Sequence, residues 1–178
     1  MTDVIERAAV SGAERDLMLE AEVRDLIYLE ADILDRQRWK EWTDLYTEDC
    51  IFWVPSWADE ENMIDDPETE INTIYLKGKA GLEARLFRIT SRDSYASLPL
   101  ARTSHVIGSV RITGQDASSV QASAKWTVLS MDARRGKMVR GGWYDFDFAR
   151  TEDGLKIRQK KIALLESMID GTIDIYQI

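Results

Sequence analysis

The chain is poor in the residues that most often do chemistry. Of its 178 residues one is cysteine, Cys50, and one is histidine, His105. A lone Cys excludes an internal disulfide and any Cys-x-x-Cys redox or zinc motif, and it suits a reducing compartment, so a cytoplasmic location is expected. A lone His excludes a His-Glu-x-x-His helix. No apolar run approaches the ~20 residues that span a bilayer, so no membrane partner is expected. Met1-Thr-Asp-Val-Ile-Glu-Arg7 lacks the basic start and apolar core of a signal peptide. Basic residues are in the minority, 23 Lys and Arg against 32 Asp and Glu for a net charge of −9. Nucleic acid is therefore a poor partner, because phosphate binding needs a basic stripe. Lys77-Gly-Lys-Ala-Gly81 lacks the spacing of a phosphate loop, and no Gly-x-Ser-x-Gly elbow occurs.

What is present describes one soluble domain, residues 1–178, with residues 1–12 as a loose N-terminal extension. The hydrophobic fraction of 44% is ordinary, and a chain of this size buries roughly 70% of its unfolded surface. Ser11-Gly-Ala-Glu14 has the form of a capping box and predicts a helix start near residue 12. Leu19, Val23, Leu26, Ile27, Glu30, Ile33 and Leu34 then recur at spacings of three and four, one stripe on a helix running to about Arg38. Trp39, Trp42, Leu45 and Tyr46 continue as a second short helix after a bend.

Cys50-Ile-Phe-Trp-Val54 is a β-prone run stopped by Pro55, and residues 56–69 form an acidic loop. Residues 78–89 are helical with Leu82, Leu86 and Ile89 on one face, and residues 91–104 are irregular. Four strands follow, 106–112, 120–131, 138–150 and 155–165, separated by turn signals. If residues 151–154 are the last loop, Arg150 faces Leu155, Phe148 faces Ile157, Asp147 faces Arg158 and Asp145 faces Lys160. Helices followed by a strand meander give an α+β fold, a curved antiparallel sheet with helices on its concave side.

Candidate site residues are few. His105 is the only imidazole, with Asp35 or Glu30 as its possible carboxylate; a packed, hydrogen-bonded imidazole where a loop enters the sheet explains it as well. Glu30 falls inside the apolar stripe, where a carboxylate costs several kcal/mol unless paired. It is either a general base in an internal cavity or half of a structural pair with Arg85, Arg102 or Lys161. Trp57, beside Asp59 and Glu60, is the candidate interface, since Trp is enriched where proteins meet. The surrounding acids read either as a solvated loop or as an electrostatic docking face.

Several segments taken together resemble the small (β) subunit of bacterial aromatic-ring-hydroxylating dioxygenases of the benzoate/anthranilate type. They are Tyr28-x-Glu-Ala-x-x-Leu-Asp35, Trp42-x-x-Leu-Tyr46, Asp49-x-x-Phe-Trp-Val-Pro-Ser-Trp57, Asp66-Pro-x-x-Glu-Ile71, Gly81-Leu-Glu-x-Arg-x-Phe-Arg-Ile89 and Arg102-Thr-Ser-His105. The resemblance runs from about Asp25 to Leu165. One departure is Gly108-Ser-Val110, where the family often has Asn-Val shortly after the His; it bears on a strand-edge contact rather than on the fold.

The resemblance implies a cystatin-like cone, the shape of ketosteroid isomerases and nuclear transport factors. It also implies an α3β3 hexamer with a large α subunit, served by a reductase and sometimes a ferredoxin that bring electrons from NADH. The assembly would cis-dihydroxylate a benzoate-like acid with O2 in aromatic catabolism. A Rieske [2Fe-2S] cluster needs two Cys and two His, and a facial-triad iron needs two His and a carboxylate. One Cys and one His supply neither, so the chain is expected to hold no cofactor, metal or catalytic residue, and both centres are expected in the large subunit. The competing expectation is a stand-alone dehydratase or isomerase using His105 with Glu30 or Asp35.

Overall fold

Six strands form one mixed sheet in the order β2-β1-β6-β5-β4-β3, and helices cover one of its faces. The computed structural model describes the backbone of residues 2–91 and 98–178, and within these ranges the side chains from Leu17 onward. The elements are α1 (Thr2–Asp35), α2 (Trp39–Asp44), β1 (Tyr46–Pro55), β2 (Asn72–Lys77), α3 (Gly78–Thr90), β3 (Arg102–Gln115), β4 (Ser119–Asp132), β5 (Gly136–Thr151) and β6 (Gly154–Leu164). A last 3-10 turn spans Ile175–Gln177. No helix among the described residues is long and apolar enough to cross a membrane.

The apolar stripe of α1 lies where its spacing predicts. Leu19, Val23, Ile27, Ile33 and Leu34 are buried, and Glu30 is buried with them. The helix begins at Thr2 rather than near residue 12. Nothing in residues 2–11 breaks a helix, so Ser11 falls inside one instead of starting it. The side chains of Ser11 and Glu14, like those of the expected N-terminal extension, lie outside the described residues. At the other end α1 stops at Asp35, because Gln37 adopts a left-handed φ of 55° and turns the chain into α2. Tyr46, expected on that second helix, is the first residue of β1.

The meander β3-β4-β5-β6 is antiparallel, but β6 returns beside β1 and runs parallel to it, so the sheet is not wholly antiparallel. β2 pairs with the outer side of β1 and is absent from the sequence reading, as only Ile74 of its six residues is deeply buried. The irregular stretch expected at 91–104 ends earlier, at Ala101, since β3 begins at Arg102; residues 92–97 lie outside the described ones. At Gly108-Ser-Val110 the β3–β4 register shifts and Ser109 takes a φ of 52°. The departure from the family pattern thus coincides with a bulge on an edge strand.

The last hairpin shows how one residue decides the interior. Near the turn the register is as expected, with Arg150 facing Leu155 and Phe148 facing Ile157. Beyond Phe148 it slips, so Asp147 faces Gln159 and Asp145 faces Lys161, not Arg158 and Lys160. Arg158 is the extra residue of the bulge, and its Nε still donates to Asp147 Oδ2 at 2.6 Å. Because side chains alternate across a strand, the slip sends Lys160 inward and Lys161 outward, where the latter lies 4.3 Å from the Trp53 ring centre. At the far end of this hairpin only glycine fits position 142: a Cβ there would sit 1.9 Å from the Ala163 carbonyl oxygen.

Candidate functional site

The concave side of the sheet, closed by α1 and α2, holds two polar clusters. The first centres on Glu30, which α1 carries into the core at 1% exposure. Its Oε1 accepts from Tyr46 Oη at 2.6 Å, Trp42 Nε1 at 3.1 Å and Lys160 Nζ at 2.9 Å, and its Oε2 accepts from Lys160 at 2.7 Å. Lys160 is fully buried, and its ammonium lies 4.2 Å from the centre of the Tyr144 ring with Phe52 and Phe146 further out. Burial alone would raise the Glu30 carboxyl, but the charge and hydrogen bonds of the Lys160 ammonium, with the bonds from Tyr46 and Trp42, outweigh it and hold it below the usual range. Burial, opposed by Glu30, pulls the Lys160 ammonium below the ordinary lysine value. Burial and the Glu30 charge push the Tyr46 phenol well up, which keeps it a neutral donor.

The second cluster is His105 with Asp35. Asp35 Oδ1 sits 2.6 Å from His105 Nδ1, while its Oδ2 accepts the His105 backbone N–H at 2.8 Å. The imidazole is 1% exposed. Burial works against the Asp35 charge, but its bonds to the His105 side chain and backbone prevail and its carboxyl is held below the usual range. A carboxylate that orients an imidazole through Nδ1 is the geometry of a general base. Such a base also needs its other nitrogen to face a substrate, and here His105 Nε2 lies 3.4 Å from the backbone oxygen of Ile178. Ile175, Tyr176 and Ile178 are buried in the core, with Tyr176 edge-on to Trp39. The tail is held by Arg85 Nε donating to Asp174 Oδ1 at 2.9 Å and by Asp174 capping the last turn. Cavities among the described residues open between α1 and β3, beside Leu98-Pro99, and at Arg140; none of these three is lined by Glu30, Asp35 or His105.

His105 and Asp35 are therefore brought together, whereas Glu30 is committed elsewhere. None of Arg85, Arg102 and Lys161 is Glu30's partner. Arg85 holds Asp174, and Arg102 is exposed at the start of β3, since strand alternation turns it outward while its neighbour Ala101 is buried. The reading of Arg102 as a buried polar residue is corrected accordingly. Lys160 was missed, although Ile157 and Ile162 signal it: two core residues an odd number apart share a face only if a bulge intervenes.

On the surface, Trp57 is an anchor rather than a free aromatic, as its Nε1 donates to the Leu164 carbonyl at 2.9 Å. Asp59 caps the loop that follows, accepting from the backbone of Glu61 and Asn62, and Asp66 and Glu70 do the same for their own turns. Glu68 takes Lys77 and Tyr75, while Glu60 is exposed. Much of the acidity is thus used to fold the loop. Among the described residues no group of three or more His, Cys, Asp or Glu is placed to hold a metal ion. The one imidazole is engaged on both nitrogens, and burial pushes the Cys50 thiol up to about 11, away from the thiolate a metal needs. The residues present fit neither a Rieske cluster nor a mononuclear iron.

Comparison with known proteins places this architecture. The family model described as "Ring hydroxylating beta subunit" matches residues 29–171. Benzoate 1,2-dioxygenase subunit beta of Acinetobacter baylyi is 32% identical over 88% of this chain and 92% of its own length. The 2-halobenzoate 1,2-dioxygenase small subunit of Burkholderia cepacia is 33% identical over 85% and 92%. Among solved structures, the beta subunit of benzoate 1,2-dioxygenase from Burkholderia mallei superposes with a TM-score of 0.74 at 32% identity, covering 89% of this chain and 96% of that one. An NTF2-like protein with a cystatin-like fold from Novosphingobium aromaticivorans, 19% identical, superposes at 0.63 over 89% of this chain and 90% of its own, and shares the fold.

Proposed function

Since the chain belongs to the ring-hydroxylating dioxygenase beta-subunit family, we propose that it is the non-catalytic small subunit of a terminal oxygenase acting on a benzoate-like acid. Its partner is a large α subunit, which carries the Rieske cluster and the mononuclear iron. Three copies of each make an α3β3 assembly in the cytoplasm. A reductase, with or without a ferredoxin, delivers electrons from NADH, and the product is a cis-dihydrodiol. This chain's work is mechanical: it holds large subunits in a fixed relation so that the cluster of one reaches the iron of the next.

The observation that carries this reading is family membership, together with acid–base candidates that are already engaged with other groups of the chain. The His105–Asp35 pair has the geometry of an acid–base dyad, but His105 Nε2 lies 3.4 Å from the Ile178 backbone oxygen and the carboxylate of Glu30 is paired with Lys160. The test is gentle purification of the tagged chain from its native host, followed by complex mass and iron content on the same sample. A brown complex several times the mass of the chain, containing iron and a larger partner, is expected. A colourless, iron-free oligomer of this chain alone would overturn the proposal.

A further inference from the structure

Among the described lysines and arginines two are buried, Lys160 and Arg140, and they are treated very differently. Lys160 has its carboxylate at 2.7 and 2.9 Å. Arg140, at 6% exposure, has only long contacts: Nε to Glu166 Oε2 at 3.8 Å, Nη2 to the Asp170 carbonyl at 3.4 Å and Nη2 to Met138 Sδ at 4.0 Å. Its Nη1 is buried and has no hydrogen-bond partner at all. A guanidinium is permanently charged and normally makes charge-assisted bonds at about 2.7–2.9 Å, often two in parallel to one carboxylate. Left in this state it is a standing cost to the isolated subunit.

The guanidinium lines a cavity of about 260 Å3 together with Met138, Val139, Glu166, Met168 and Asp170. The cavity lies where β5 outruns its neighbour: β6 ends at Leu164, opposite Gly142, and residues 136–140 have no β6 partner. Its opening is part apolar, with Val139 52% and Met168 87% exposed and Leu129, the cross-strand neighbour of Val139, exposed as well, and part acidic, with Glu166 and Asp170 in the lining. The hairpin tip beside it carries Arg134, Arg135 and Lys137, which with Arg140 outnumber by one the acids Asp132, Glu166 and Asp170 around the same opening. A buried guanidinium with an unfilled Nη1, a partly apolar opening and a small local excess of basic groups together describe a socket for an acidic side chain.

We propose that Arg140 and its rim form a docking socket for the large subunit, which inserts an Asp or Glu flanked by apolar residues. The incoming carboxylate takes Nη1 and Nη2, Glu166 remains on the Nε side or swings into solvent, and Val139, Leu129 and Met168 are covered. This rests on the small-subunit reading, and it names the surface through which that reading operates.

The experiment mixes the separately purified small and large subunits and measures their dissociation constant by analytical ultracentrifugation at low and high salt. Arg140→Gln is expected to weaken binding by at least about tenfold and to flatten the salt dependence, while the melting temperature of the isolated small subunit holds or rises. Arg140→Lys keeps the charge without the fork and falls between, and Met168→Asp weakens binding through the rim. Unchanged affinity in Arg140→Gln overturns the proposal. So does a lower melting temperature of the isolated subunit with a matching loss of binding, which makes Arg140 a structural residue. Two further results count against it: benzoate raising the melting temperature of wild type but not of Arg140→Gln, since a free acid then fills the socket, and Arg140→Gln dissolving an oligomer of the small subunit alone. If wild-type subunits do not associate, the small-subunit reading itself falls.

Discussion

The Glu30–Lys160 pair and the Arg140 socket place charge in the same fold at similar burial, one closed and the other open. In the first, four hydrogen bonds converge on one carboxylate and three aromatic rings surround the ammonium. In the second, contacts at 3.4 Å and longer leave one nitrogen with nothing. The closed pair joins α1, α2, β1 and β6, so its geometry is set by the fold and in turn fixes how the helices sit on the sheet. The open cation lies where β5 extends past β6, at the margin of the molecule. Internal completion is what a structural charge requires, and its absence at a margin points outward, to a second molecule.

The sharpest way to break the contrast is to open the closed pair. Glu30→Ala leaves Lys160 without a counter-charge and is expected to cost about 3–5 kcal/mol, against a total stability of about 5–15 kcal/mol for a domain. Urea unfolding of the isolated subunit measures this. Glu30→Leu combined with Lys160→Met should recover most of the loss, since an apolar replacement of both partners is often neutral or better. Should the double variant be as unstable as Glu30→Ala, the deficit comes from packing rather than from a stranded charge. Acid titration gives a second reading. The folded Glu30 carboxyl lies below its unfolded value of about 4.5, so its contribution is complete above that pH and is lost as pH falls through the folded value. The wild type should therefore lose stability more steeply in acid than the double variant.

Next in size is the His105–Asp35 pair. Asp35→Ala removes acceptors from both the backbone N–H and the ring of His105, and is expected to cost about 1–3 kcal/mol. Chemical denaturation at neutral pH checks the figure. A cost near zero would mean that the tail and strand packing alone hold the imidazole, and that the dyad geometry is incidental.

The closed pair was half legible in the sequence. Glu30 announces itself because a carboxylate interrupts a stripe of three- and four-residue spacings, and spacing is a local property. Lys160 hides because the bulge at Arg158 is a tertiary choice: the β5–β6 register follows the turn as far as Phe148 and then obeys the core. The odd interval between Ile157 and Ile162 was its only trace. Arg140 was open to reading by alternation, since it shares a strand face with the buried Tyr144, Phe146 and Phe148, but nothing local says whether a partner will be there. The tail from Asp174 to Ile178 carries no periodicity, and its place in the core rests on Arg85 and Trp39, both distant in sequence. The strands and helices were thus legible where period decides them, and the site was not, because distant pairings decide it.

The smallest effect separates the two surface features at one end of the sheet, the Trp57 loop and the Arg140 socket. Trp57→Phe keeps most of the buried ring area and deletes a single hydrogen bond to the Leu164 carbonyl, worth about 0.5–1.5 kcal/mol. Because the loop between β1 and β2 is held largely by its own capping carboxylates, the loss should appear as local opening, with faster amide exchange across residues 57–63 and little change in global unfolding. If the loop is only a strap, Trp57→Phe binds the large subunit as wild type does while Arg140→Gln binds it poorly. Weakened binding by Trp57→Phe at unchanged global stability would instead extend the docking surface across the end of β6, and the acidic loop and the basic socket would then be two poles of one interface.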